Sequence, residues 1–129
     1  SDSHQSFSVT RTATGELTAY FELAGIDRTN RSVRLSRYLV GPPDRRGKGV
    51  GRAILKLVTD EVFRLGWVHR FELRVATDND PAIRCYLDAG FSLEGTMREA
   101  RVRRDTMASV HLMSLLEPEW EAAHSSFNS

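Results

Sequence analysis

Seven consecutive residues, Arg46-Gly47-Lys48-Gly49-Val50-Gly51-Arg52, set glycines and cations alternately ahead of an amphipathic stretch. Apolar side chains follow at Ile54, Leu57, Val58, Val62 and Leu65 with a helical period, and Gly66 closes it. Glycines here let bare backbone N–H groups face outward at the positive end of the helix dipole. That is an anion cradle, suited to a phosphate or pyrophosphate. A glycine-rich turn before an ordinary core helix would leave the same letters. Three better-known glycine signals do not fit. In a Walker A loop a hydroxyl residue follows the lysine, and here Lys48 is followed by Gly49. A dinucleotide fingerprint needs Gly-x-Gly-x-x-Gly, whereas Arg52 and Ala53 follow Gly51. A kinase loop shares that spacing and lies between strands, not before a helix.

Length and composition bound what such a cradle could serve. The chain has 129 residues, the size of one domain, and 40% of them are hydrophobic, enough for one core. With 18 basic and 17 acidic residues the formal charge is +1, so the chain as a whole is no polyanion binder. Its arginines are nevertheless clustered, at 45, 46 and 52 in one stretch and at 98, 101, 103 and 104 in another. Such clusters can hold a phosphorylated ligand, or can simply be solvated surface. Cys85 is the single cysteine, which excludes an internal disulfide framework. No apolar run reaches membrane-spanning length and no signal-peptide pattern opens the chain. The expectation is a soluble, cytoplasmic protein that starts without methionine.

The elements that must position these residues can be read coarsely. Phe7 to Thr10, Leu17 to Leu23, and the stretch carrying Val33, Leu35, Tyr38 and Val40 read as three antiparallel strands leading up to the glycine loop. Turns are expected at Ala13 to Glu16 and Asp27 to Asn30, and Gly41-Pro42-Pro43 ends the third strand. After the helix over 50–65 comes a strand alternating at Phe71, Leu73 and Val75. Asp80 is placed to cap a second helix, with Pro81 at its first position and an end near Ala89-Gly90. Two last strands, Phe91 to Glu94 and Ser109 to Leu115, are joined by a long arginine-rich excursion. Residues 1–5 and the tail from Ser125 to Ser129 read as loose. The fold class is α+β around one central sheet.

These motifs resemble the Gcn5-related N-acetyltransferase (GNAT) superfamily. Its loop signature, Arg/Gln-x-x-Gly-x-Gly/Ala, is matched by Arg46 to Gly51. Its second signature, an asparagine followed by a short helix with a tyrosine and then Gly-Phe, is matched from Asn79 through Tyr86 to Gly90-Phe91. Glu94 to Ala100 and Leu112 to Leu116 are similar to the subgroup that holds ribosomal-protein alanine acetyltransferases. The likeness runs from about Val33 to Leu116. It implies a mostly antiparallel, splayed sheet flanked by helices. Two departures concern the acceptor half. The strand and two helices with which the family usually begins are not found ahead of Phe7, so the acceptor wall reads as cut off, absent or supplied by another chain. The excursion between Arg98 and Ala108 also looks shorter and more basic than usual.

The resemblance implies acetyl-CoA as co-substrate and no metal, and no His/Cys/carboxylate spacing suggests one. The cradle Arg46, Gly47, Lys48, Gly49, Val50, Gly51 and Arg52 would take the pyrophosphate. Leu39, Val40 and Gly41 map onto the strand edge that pairs with the pantetheine arm, although a buried strand end before a proline turn reads the same way. Asn79 maps onto a cofactor-contacting asparagine, or is a turn residue. Tyr86 maps onto the tyrosine that protonates the departing thiolate, a role open to a phenol that keeps its proton at neutral pH, or it packs as an amphipathic core tyrosine. Glu22 is the best candidate base, with a solvated strand glutamate as the plainer reading. His111 is second, and His4, His69 and His124 lack any partner pattern. Cys85 reads as a small buried hydrophobe and Trp67 and Trp120 as packing residues.

The function expected is transfer of an acetyl group from acetyl-CoA to a primary amine, a protein N-terminus first and a small amine or antibiotic second. A non-catalytic acyl-CoA-binding module is the rival. Nucleic-acid binding through Arg98 to Arg104 is weakened by the near-neutral total charge. Edge strands near the C-terminus would suit a homodimer.

Overall fold

The computed structural model describes the backbone of residues 5–11, 17–39 and 50–128, and the side chains of 21–36 and 52–123. Six strands and three helices follow one another as β1 (Gln5–Arg11), β2 (Leu17–Asp27), β3 (Ser32–Leu39), α1 (Val50–Arg64), β4 (Arg70–Ala76), α2 (Asp80–Asp88), β5 (Ser92–Arg103), β6 (Thr106–Leu116) and α3 (Glu117–Asn128). They form one sheet in the order β1-β2-β3-β4-β6-β5. Every neighbouring pair is antiparallel except β3 and β4. The crossover between those two is α1, the connection a parallel pair requires.

Alternation along β4 decides the two faces of the sheet. Phe71, Leu73 and Val75 are buried, while Arg70, Glu72 and Arg74 lie between them on the other side. Register carries the apolar side across its neighbours, since Phe71 pairs with Val33 and Leu115, and Leu73 with Leu35 and Met113. Side chains of all three helices join this core. From α1 come Ile54, Leu55, Val58, Val62 and Phe63, from α2 Tyr86, and from α3 Trp120, whose ring stacks on Phe63 at 5.3 Å. Each such large side chain contributes about 1.5–3 kcal/mol on full burial, so the apolar face fixes which way every strand is turned. The opposite, more polar face carries Arg70, Glu72 and Arg74 of β4, with Leu112 and the buried Val110 of β6 beside them.

Two glycines end helices by adopting the left-handed conformation that a side chain resists. Gly66 (φ 88°) follows α1 and Gly90 (φ 102°) follows α2. Elsewhere the local chemistry departs from the sequence reading. Asn79, not Asp80, caps α2: its side-chain oxygen accepts from the Ala82 N–H, and Asp80 is the first helical residue. Leu65 falls past the end of α1 and is 44% exposed, outside the apolar stripe. The arginine-rich excursion is itself strand, because β5 and β6 pair as one long hairpin down to Arg103 and Thr106. The C-terminal tail is helix α3, and β1 begins at Gln5. The expected turn at Ala13 to Glu16 lies outside the described residues.

Candidate functional site

The site begins where the sheet opens. The parallel ladder between β3 and β4 has four rungs, Ser32–Arg70, Val33–Phe71, Arg34–Glu72 and Leu35–Leu73. Both strands then continue, β3 to Leu39 and β4 to Ala76, without pairing to each other. A register shift explains the parting. Glu22 on β2 faces Arg37 while the next residue, Leu23, faces Leu35, so Ser36 is an extra residue in β3. A bulge bends its strand and increases its twist. Here it falls directly after the last rung, so β3 turns away from β4 and follows β2. The result is a wedge whose walls are the backbone edges of Ser36–Leu39 and Arg74–Ala76.

Both helix N-termini belong to this end of the sheet. Residues 40–49 lead from the end of β3 into α1, and Thr77 and Asp78 lead from the end of β4 into α2. Val40, Gly41, Arg46, Gly47, Lys48 and Gly49 lie outside the described residues. Leu39 is the last residue of β3 and pairs with Tyr20. Val50 and Gly51 open α1, whose first turn contains no acidic side chain to offset its positive end. Arg52 stands one position further, and its guanidinium pairs with Asp88 at the other end of α2. A phosphate at Arg52 would therefore compete with a carboxylate already in place.

On α2, the Asn79 side chain is committed to the helix cap through its oxygen, 3.3 Å from the Ala82 nitrogen. Its own N–H donates to the Ala76 carbonyl at 3.0 Å, fixing it against the end of β4. Tyr86 is 8% exposed and lies against Phe91, ring centres 6.1 Å apart. Both the packing reading and a role at the wedge are compatible with that position. Cys85 is half-buried, and burial pushes its thiol pKa up, as expected for a packing residue and not a nucleophile.

Glu22 sits between buried Phe21 and Leu23, so it projects to the polar face, one strand away from the wedge. The polar face of β4 divides into two regions. At its start, Arg70 is fully matched, donating to Glu94 at 2.6 and 2.8 Å and to Glu72 at 2.7 and 3.0 Å. The Ser114 hydroxyl also donates to Glu94. Arg70 and then Ser114 hold the Glu94 carboxyl well down, at about 2. At the wedge end stands Arg74, exposed and with no ion-pair partner among the described residues. His111 lies opposite Val75 on the other face, with Nδ1 2.8 Å from the Thr96 hydroxyl.

The β5–β6 hairpin closes one side. Three residues, Arg98, Glu99 and Ala100, stand against Ser109 between the rungs Met97–Val110 and Arg101–Ala108. Glu99 takes a left-handed φ of 45°, and its N–H donates to the Ser109 hydroxyl. Beyond this bulge Arg103 donates to both Asp78 oxygens, at 2.8 and 3.0 Å, and ties the hairpin to the β4–α2 turn. Sequence reading missed Ser36, Arg74 and the Arg103–Asp78 pair. Only Arg74 left a signal, as a cation in the alternation of a strand that leads into Asn79.

A separate cavity of about 370 Å³ lies between α1, α3 and the far end of α2, lined by Lys56, Asp60, Gly90, Leu115 and Trp120 among others. Lys56 pairs with Asp60 and Arg52 with Asp88, Glu119 accepts from the Leu116 N–H, and the Trp120 indole donates to Asp60 at 2.8 Å. Among the described residues no cluster of His, Cys, Asp or Glu could hold a metal ion, and no helix is long and apolar enough to cross a membrane.

Known proteins resemble this chain in sequence and in fold. The spermidine N(1)-acetyltransferase of Vibrio cholerae serotype O1 is 27% identical over 112 residues, which is 87% of this chain and 64% of that protein. This chain thus spans a little under two-thirds of that relative's length. Among solved structures, a chimera of spermidine N-acetyltransferase SpeG from Vibrio cholerae and hSSAT superposes with a TM-score of 0.82 at 26% identity, covering 94% of this chain and 74% of the other. A dodecameric structure of the Vibrio cholerae enzyme gives 0.79 at 26% identity, covering 92% and 68%. The profile of the Acetyltransferase (GNAT) family matches residues 1–91. With the two ordered motifs and the splayed parallel pair, that match establishes that the chain belongs to the GNAT acetyltransferase family.

Proposed function

We propose that this chain transfers an acetyl group from acetyl-CoA to the primary amine of a small molecule. The observation that carries the reading is the wedge: two parallel strands that stop pairing at Leu35–Leu73 and run on with backbone edges that do not pair with each other. Such edges suit the amides of a pantetheine arm, much as an added strand would. The adjoining glycine loop and the acid-free first turn of α1 suit its pyrophosphate. The relatives named above act on spermidine, and this favours a small amine over the protein N-terminus expected from subgroup resemblance.

Bound acetyl-CoA would supply an activated thioester carbonyl. The chain's own groups would orient it and move protons. An amine on the polar face would form the new N–C bond as the C–S bond breaks. Tyr86 would give its phenolic proton to the departing sulfur, and the proton lost by the amine would pass to Glu22, directly or through water. Calorimetric titration with acetyl-CoA tests the reading, with desulfo-CoA and adenine nucleotides as controls. Binding that depends on the pantetheine arm is expected, and Gly49→Asp should abolish it in a folded chain by filling the cradle. A folded Gly49→Asp variant that binds normally would overturn the assignment of the loop.

A further inference from the structure

The arginines of the polar face are unevenly compensated, and the imbalance lies at the wedge. Arg70 is enclosed by Glu72 and Glu94. Four residues along the same strand and on the same face, Arg74 is the first residue of β4 beyond the last β3 rung. It is exposed and carries no carboxylate partner among the described residues. Strand register brings a second cation to that side. Arg74 pairs with Leu112 and Arg101 with Ala108, and alternate residues of β6 share a face. Arg103, on the same face, is neutralised by Asp78, whereas Arg101 is exposed and has no ion-pair partner among the described residues.

Under the acetyltransferase reading above, on which this inference rests, acetyl-CoA is held from the side of the sheet on which α1 and α2 pack. The amine then approaches the thioester from the polar face, past Arg74. We propose that Arg74 is a specificity-determining residue that binds an anionic group on the acceptor, so that the preferred substrate is a small primary amine bearing a carboxylate or phosphate. Arg101 adds to the same field from the hairpin. A guanidinium fits both anions through paired N–H donors. The same charge repels a polyamine, whose every part is cationic, and favours the unprotonated form of a nearby amine, the form that attacks.

The test uses the full chain with acceptors of matched size: β-alanine for a carboxylate, phosphoethanolamine for a phosphate, ethanolamine as the neutral isostere, and spermidine. The expected kcat/KM for at least one acidic amine exceeds that for ethanolamine and spermidine by roughly tenfold or more, the size of one good charge-assisted contact. Whichever acid wins identifies the anion. Arg74→Gln should bring the acidic-to-neutral ratio close to one, mainly through KM, and Arg74→Lys should restore part of it. The acetyl-CoA dissociation constant, measured on the same variants, should stay within about twofold, since Arg74 projects from the face of β4 opposite the one that packs on the helices. A chain that binds acetyl-CoA but prefers spermidine, or whose acceptor ratio ignores Arg74→Gln, overturns the proposal and leaves the transferase reading standing. A chain that binds no acetyl-CoA overturns both.

Discussion

Leu35 and Leu73 form the last rung between the two parallel strands, and the bulge at Ser36 begins on the next residue. Bulge and parting are one event: an extra residue keeps β3 in register with β2 and takes it out of register with β4. Deleting Ser36 should let the β3–β4 ladder extend past Leu73 and close the wedge. The expected result is a folded chain whose affinity for acetyl-CoA falls by at least about tenfold, since a closed ladder leaves no free edge for the arm. Calorimetry with circular dichroism checks both halves. Undiminished affinity would mean that the wedge does not receive the ligand.

Tyr86 separates two readings that its burial alone does not. As a proton donor to sulfur, its hydroxyl should matter to turnover and little to coenzyme affinity. Tyr86→Phe keeps the ring that lies against Phe91 and removes only the oxygen. A loss of about 10²-fold or more in kcat is expected, with acetyl-CoA affinity little changed. Equal turnover in the two proteins would reduce Tyr86 to a packing residue.

Arg103 and Asp78 are 25 positions apart and hold the hairpin to the turn that precedes Asn79. Both side chains are largely exposed, so their pairing is worth little to global stability. Its effect should be local. Asp78→Asn and Arg103→Gln are each expected to raise the KM of the amine severalfold at unchanged melting temperature, and the double variant should be no worse than either single one. Additive effects in the double variant would show that the two residues act separately.

How much of this was legible in the sequence follows from the range of each signal. Helix α1, the alternation of β4 and the Gly66 and Gly90 stops rest on contacts within a few residues, and they are found where the letters put them except that α1 ends one residue early, before Leu65. The cap of α2 was misread by one position because Asn79 and Asp80 are both good caps, and the choice turns on backbone dihedrals. The bulge at Ser36 arises from the register of β2, which no local pattern encodes. The hairpin was read as an excursion because Arg98 to Arg104 has few β-forming side chains. Its pairing comes from β6 and from Ser109. The Arg103–Asp78 contact is a product of that bend and could not precede it.

The Arg70–Glu94 pair predicts a pH dependence with a definite sign. Glu94 normally titrates near 4.5 and is held at about 2 by Arg70 and Ser114. A carboxylate with a lowered folded pKa contributes stability that is complete above its unfolded value and disappears as pH falls through the folded one. The contribution should therefore be whole above about 4.5 and gone near 2. Because the Glu94 side chain is 35% exposed, solvent screening limits it to about 1 kcal/mol. Glu94→Gln should lower the melting temperature by roughly 3–5 °C at neutral pH, with the gap closing across that window. A gap that persists at the acid end would assign the loss to packing.

Trp120 carries α3 onto the body of the protein by two separable contacts. Its ring stacks on Phe63 at 5.3 Å and 24°, and its indole N–H donates to the buried Asp60 at 2.8 Å. Trp120→Ala removes both and should cost about 3 kcal/mol or more in urea unfolding, as for other large aromatic truncations. Trp120→Phe keeps a ring on Phe63 and withdraws one donor from Asp60, which retains Lys56 at 3.4 Å. That loss should be about 1–2 kcal/mol, the effect of one hydrogen bond to a charged group that is not left bare. The ordering discriminates between the contacts, because the stack buries far more surface than the bond. If Trp120→Phe were as damaging as Trp120→Ala, the Asp60 bond and not the stack would be what seats the helix.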